Sequence, residues 1–147
     1  MKNVVEVSGL TKSYGDFQAV KGLSLTIVKG EIFAILGPNG AGKTTTVEIL
    51  EGFRSADSGS ISVLDTDPAI KGEAARIWRD RIGIVLQHTQ DTAELTVREA
   101  ITHFAGYYSS PRDPEEVIAL VGLQEKAGDR ARTLSGGQRR RLDVALG

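Results

Sequence analysis

Two different rhythms of apolar and polar residues run along the chain, short extended runs first and helical periods later. Residues 4–8, 17–20 and 23–27 have strand character, and in the last of these Leu23, Leu25 and Ile27 share one face. Tyr14-Gly15-Asp16 and Lys29-Gly30 are turn sequences, and connections this short predict an antiparallel layer. Ile32-Phe33-Ala34-Ile35-Leu36 is an unbroken apolar run, expected as a strand covered on both faces. Residues 44–50 follow at helix length, with Gly52 in the place of a C-terminal glycine. Residues 58–64 alternate like a strand and lead into the turn Asp65-Thr66-Asp67-Pro68. A weak helix over 73–80 and a second buried-type strand over 81–87 complete this part.

Beyond Gln87 the spacing becomes helical. Thr96-Val97-Arg98-Glu99 is a capping box, followed by Val97, Ile101, Phe104, Ala105 and Tyr108 at helical intervals. Asp113-Pro114-Glu115-Glu116 is a second helix start, with Val117, Leu120 and Val121 expected on the inner face and Gly122 as its stop. The pattern therefore predicts an α/β portion over 1–87 and a small helical portion over 88–147.

Composition narrows the classes of function. A formal net charge of -1 gives no bulk electrostatic reason to expect a nucleic-acid partner. The chain has no cysteine, which excludes a disulfide framework and a thiolate zinc site. No apolar run reaches the roughly twenty residues of a membrane-spanning helix, and Met1-Lys2-Asn3 leads straight into a strand-like stretch with no secretory core.

The chemistry concentrates at Gly37-Pro38-Asn39-Gly40-Ala41-Gly42-Lys43-Thr44-Thr45, which fits the phosphate-binding pattern G-x-x-x-x-G-K-[ST]. The pattern carries weight only between a strand and a helix, and the runs at 32–36 and 44–50 supply both. Glycines let backbone N–H groups turn toward phosphate oxygens, and the helix start adds partial positive charge at the same point. Lys43 is expected to reach the terminal phosphates and Thr44 to place its hydroxyl on Mg2+. Further on, Leu134-Ser135-Gly136-Gly137-Gln138 opens another helix. Ser135 and Gln138 form an S-x-x-Q capping box, Leu142, Ala145 and Leu146 share a face, and Gly136 and Gly137 leave amides open to an anion.

A phosphate loop followed by Leu134-Ser135-Gly136-Gly137-Gln138 resembles the pairing of motifs found in ABC ATPases. The resemblance covers essentially the whole chain and implies a P-loop NTPase (RecA-like) core with an N-terminal antiparallel layer and a helical subdomain. It implies ATP and Mg2+ as cofactors. It places Tyr14 as the aromatic that stacks on adenine, and Gln87 as the glutamine that contacts Mg2+ and the attacking water. It sets Ser135, Gly136, Gly137 and Gln138 against the γ-phosphate held by a second protomer in a head-to-tail dimer. Lys43 and Gln87 are then the catalytic positions. Partners implied are a transmembrane permease and that second protomer, at the inner face of the cell membrane, with no nucleic acid expected. The motifs look most like ATP-binding subunits of bacterial multidrug or antibiotic exporters of the ABC-2, daunorubicin-resistance type. A soluble ABC ATPase of translation or DNA repair, and a nucleotide-binding module without turnover, are the alternatives.

Family members continue past the signature helix with an apolar strand carrying an Asp and a catalytic Glu, then a switch His. None of these lies within the 147 residues. Residues 61–65 are the one decoy for that strand, but they alternate and lead into a turn; His88 and His103 precede the signature, as a loop and a helix-surface residue. The chain is thus expected to bind nucleotide better than it hydrolyses it. With those strands absent, the apolar faces of 32–36 and 81–87 are expected to lie open to water and to promote association. Arg139, Arg140 and Arg141 read as a solvated helix face.

Overall fold

The computed structural model describes residues 2–85 and 92–147, which cluster into two compact units, Met1–Trp78 and Arg79–Gly147. The first is built on strands β1 (Asn3–Tyr14), β2 (Phe17–Val28) and β3 (Ser58–Val63), in the order β2-β1-β3 and antiparallel throughout. Central β1 is longer than the sequence suggested, and the segments expected as separate strands at 17–20 and 23–27 are one strand. Between them, at Lys21-Gly22, the ladder shifts register instead of stopping, with Gly22 at φ 77 absorbing the bulge. The two-residue Gly15-Asp16 turn sets Tyr14 opposite Phe17.

Helix α1 (Lys43–Leu50) packs its Ile49 against Val7, Leu10 and Val20, the apolar centre of this unit. Gly52 follows at φ 72, as expected of a helix-terminating glycine. A Cβ at Gly52 would sit 2.6 Å from the carbonyl oxygen of Pro68 and 3.1 Å from the ring of Trp78. Trp78 itself, on α2 (Glu73–Arg79), is buried and donates its indole N–H to the carbonyl of Val63 at 2.9 Å. A residue read only as part of a weak helix is therefore the pin between α2 and β3.

The apolar run at 32–36 corrects the reading. It forms no ladder among the described residues, Ile32 is 100% and Leu36 90% exposed, and only Ile35 is half-buried. An unbroken apolar run becomes a doubly covered strand only where neighbouring strands pair its edges and other layers cover its faces, and among the described residues no strand pairs with it. Residues 81–85 likewise carry no strand, with Ile84 and Val85 exposed; 86–91, including Gln87 and His88, lie outside the described residues.

The second unit packs α3 (Val97–Ala105), α4 (Pro114–Leu120) and α5 (Gly136–Leu146), with two short 3-10 turns at Gln124–Lys126 and Ala131–Thr133. Its core joins Val97, Ile101, Ile118, Leu123, Leu142 and Leu146. Helix starts are where the sequence placed them. The Thr96 hydroxyl accepts from the Glu99 amide at 3.2 Å while the Glu99 carboxylate accepts from the Thr96 amide at 2.8 Å, and Asp113 accepts from Glu115 and Glu116. Tyr108 lies beyond the end of α3. The inner face of α4 differs from expectation: Ile118 is buried and Leu120 is 65% exposed. In a two-turn helix the rotation is set by one buried side chain, and Ile118 takes that place between α3 and Leu123.

Candidate nucleotide-binding site

The phosphate loop runs from Gly37 into α1, with Gly42 as the residue before the first helical turn at φ 78, ψ 10. That left-handed conformation already favours glycine, and the surroundings require it. A Cβ at Gly42 would lie 2.2 Å from the carbonyl oxygen of Ala19 and 3.2 Å from Val20. The last glycine of the motif thus seats the loop on β2. Thr46, one turn on, is buried and donates its hydroxyl to the Gly42 carbonyl at 2.9 Å, closing the helix start from inside.

Lys43 points back over the loop. Its Nζ donates to the carbonyl oxygens of Gly37 and Pro38, both at 2.7 Å, while the Ala41 amide donates to Pro38 at 3.2 Å. The ammonium therefore rests on two oxygens of its own loop, at the distance expected for phosphate oxygens. Thr44 is exposed at the first turn of α1, and Thr45 is half-buried. Gly40 has nothing within 4 Å of a Cβ position, so the mouth of the loop is open. These features fit a polyphosphate: one cation, free amides at a helix start, and room. For Mg2+, the exposed Thr44 hydroxyl fits as a ligand beside nucleotide phosphates; the described residues contain no group of three or more His, Cys, Asp or Glu able to form a protein-only metal site.

Tyr14 belongs to the same unit and lies at the hairpin end of the β-strand pair on which Gly42 sits. Its ring is 41% exposed. Two cations approach it, the Arg54 guanidinium at 5.3 Å and the Lys12 ammonium at 5.9 Å from the ring centre. Each is held by its own carboxylate, Arg54 by Glu48 and Lys12 by Asp57, both at 2.7 Å. The Lys12 hydrogen bond, with the Ser13 amide, keeps Asp57 below the usual carboxylate range. Sequence reading missed this ring of charges because its members come from β1, the end of α1 and the approach to β3. The register β1 to β3, Thr11 opposite Ser58, is what brings them together.

In the second unit Ser135 caps α5. Its hydroxyl accepts from the Gln138 amide at 3.3 Å, and the Gln138 side-chain oxygen accepts from the Ser135 amide at 2.9 Å. Gly136 and Gly137 are exposed, neither has a positive φ, and a Cβ on either would meet nothing within 4 Å. Leu142 and Leu146 are buried and Ala145 partly so, as the helical spacing predicted. Arg139 departs from the reading of a solvated stripe: it is half-buried and its guanidinium donates to the Ala131 carbonyl, tying α5 to the 3-10 turn before it. Arg140 and Arg141 are exposed. Gln87, the remaining predicted site residue, lies outside the described residues.

The other titrating residues that the sequence raised find ordinary places. His103 is exposed on α3 and bonded to the Tyr107 hydroxyl at 3.1 Å. Asp65 sits in the turn after an antiparallel strand, at φ 64, and pairs with Lys2 at 2.7 Å. An antiparallel edge and an ion-paired turn do not make the acidic strand end of a nucleotide site, in keeping with its rejection above.

A glycine loop seated on a strand, a lysine at its helix start and an α/β setting define a P-loop nucleotide-binding fold. Residues 20–147 match the ABC transporter family, and the chain belongs to it. Nod factor export ATP-binding protein I of Rhizobium sp. (strain N33) is 42% identical, covering 98% of this chain and 48% of the relative. Linearmycin resistance ATP-binding protein LnrL of Bacillus subtilis (strain 168) is 35% identical, covering 96% and 46%. Among solved structures, cbiO1 from Clostridium perfringens, part of the ABC transporter complex cbiONQ, superposes with a TM-score of 0.86 at 26% identity, over 99% of this chain and 61% of the other. The ADP conformation of MJ1267, an ATP-binding cassette of an ABC transporter, gives a TM-score of 0.81 at 25% identity, over 99% and 64%. The chain spans about half the length of the curated relatives it matches.

Proposed function

We propose that this chain is the nucleotide-binding portion of an ATP-binding subunit that energises a membrane exporter. The observation that carries the reading is the phosphate loop seated by Gly42 on β2, with the Lys43 ammonium poised over it. Lys43 and the loop amides bind the β- and γ-phosphates, Tyr14 stacks on the adenine, and Thr44 with Gln87 holds Mg2+. Held there, Mg2+ would supply positive charge against that developing on the transferred phosphoryl group. Gln87 also orients the attacking water. Ser135, Gly136, Gly137 and Gln138 meet the γ-phosphate bound by a second protomer; their open glycine positions and capped helix start suit an anion that approaches from outside the chain. Two nucleotides are thereby enclosed in a head-to-tail dimer, and the complete protein hydrolyses ATP.

The export direction rests on the relatives, one named for Nod factor export and one for linearmycin resistance. Substrates of the drug or antibiotic class fit that grouping. No helix among the described residues is long and apolar enough to cross a membrane. Membership of the ABC transporter family supports a permease partner that does the crossing, with this subunit at the cytoplasmic face. The test is Mg-ATP binding and phosphate release by this chain and by the complete protein, each with Lys43→Ala. Binding by both that Lys43→Ala abolishes, turnover by the complete protein, and its copurification with an integral membrane protein support the reading. Copurification with ribosomes or DNA and no membrane protein overturns the exporter assignment.

A further inference from the structure

Arg54 is joined to α1 twice. Its backbone amide donates to the Glu48 carbonyl at 3.1 Å, beside that of Phe53 at 2.9 Å, and its guanidinium donates to the Glu48 carboxylate at 2.7 Å. The same guanidinium lies 5.3 Å from the centre of the Tyr14 ring. A continuous set of contacts therefore runs from the helix that begins at Lys43, through Glu48 and Arg54, to the aromatic at the hairpin end. We infer that Arg54 is a positioning residue for the adenine end of the site: it fixes the plane of Tyr14 relative to the phosphate-binding helix. This rests on the reading of Tyr14 as the adenine platform.

The chemistry favours the arrangement. A cation against an aromatic ring is attracted by the ring's negative face, and it draws electron density from the ring, which improves the ring's stacking on an electron-rich purine. A half-exposed tyrosine with free rotation loses rotamer entropy when a base stacks on it; a ring already held by Arg54 loses less. The Glu48 carboxylate holds the guanidinium in place through their charge-assisted hydrogen bond. Lys12 is the second cation near the ring, but it is engaged with Asp57 and belongs to β1 itself. Among the described residues, Arg54 is the cation that connects the ring to α1.

The experiment compares ATP with inorganic tripolyphosphate as ligands of the full 147-residue chain, in wild type and in Arg54→Gln, Arg54→Lys, Glu48→Gln and Tyr14→Ala. Emission of Trp78, the single tryptophan and buried in the same unit, checks that each variant folds. Arg54→Gln is expected to weaken ATP binding about threefold to tenfold and leave tripolyphosphate binding unchanged. Arg54→Lys restores part of the loss, and in a Tyr14→Ala background Arg54→Gln has no further effect. Glu48→Gln, which loosens the guanidinium without removing it, gives a smaller loss of the same selectivity and serves if Arg54→Gln fails to fold. Equal weakening of both ligands, or of neither, overturns the role of Arg54. Tyr14→Ala that leaves ATP affinity intact while Lys43→Ala abolishes it overturns instead the adenine assignment on which the proposal stands.

Discussion

The Nζ of Lys43 donates to the carbonyl oxygen of Gly37 at 2.7 Å, so the loop supplies its own ligands to the cation that the motif reserves for phosphate. Entering phosphate oxygens replace neutral acceptors with charged ones, and charge-assisted hydrogen bonds of this kind contribute about 1.5–3 kcal/mol each. Two such bonds correspond to an affinity loss of about a hundredfold or more for Mg-ATP in Lys43→Ala. Fold stability is expected to move by less than about 1 kcal/mol, because the carbonyls left behind are exposed to water. Nucleotide titration alongside urea unfolding checks both halves. A large stability loss would make Lys43 a structural clamp.

The loop's glycines are expected to differ sharply under substitution. Gly42→Ala meets a left-handed backbone, which costs about 1–3 kcal/mol, and a 2.2 Å approach to the Ala19 oxygen that forces β2 and the loop apart. Gly40→Ala has a comparable φ of 83 but open space around the new methyl. It should lose only the strain energy. Urea midpoints of the two variants give the comparison, with Gly42→Ala the less stable; equal losses would mean that the contact with Ala19 is not what the glycine serves.

What the sequence made legible follows the range of the interactions involved. Capping boxes at Thr96 and Ser135 and the Gly15-Asp16 turn are written in a few adjacent residues, and each appears where the sequence placed it. The run at 32–36 depends on strands beside it, so its apolar pattern alone could not place it in a sheet. Its exposed Ile32 and Leu36 are the physical ground for expecting the chain to self-associate. The charges around Tyr14 were invisible for a related reason: Lys12, Arg54 and Asp57 meet only through the pairing of β1 with β3 and the fold-back of the chain after Gly52. Ile118 displaced Leu120 from the core because a helix of two turns can rotate to suit its neighbours.

At the signature helix, cap and ligand contact can be separated. Ser135→Ala removes the acceptor for the Gln138 amide and is expected to lower stability by about 1 kcal/mol. Gly136→Ala and Gly137→Ala place a methyl in open space on a helical backbone, so stability should hold or rise slightly. If these glycines meet a partner's nucleotide as proposed, both variants are nonetheless expected to impair ATP-dependent dimer formation in the complete protein, because the added methyl would obstruct that approach. Denaturation together with sedimentation in the presence of ATP reads the two effects. Dimer formation equal to wild type in both variants would assign the glycines to helix geometry alone.

Glu51 gives the fold a pH dependence of identifiable sign. Burial, followed by the nearby Glu48 carboxylate, raises its pKa above the ordinary glutamate value. A carboxyl that binds its proton more tightly in the folded chain favours folding below its unfolded pKa, and that contribution is lost as pH climbs through the raised value. At neutral pH the ionised group is therefore unfavourable, and it caps the C-terminal end of α1, where the helix dipole also disfavours an anion. Glu51→Gln is expected to stabilise the chain near neutrality by about 0.5 kcal/mol, and the gain should disappear as pH falls below the ordinary glutamate range. Urea unfolding of both proteins across that range checks the sign. A gain that persists at acid pH would mean that the amide improves packing or hydrogen bonding at the end of α1, with charge playing no part.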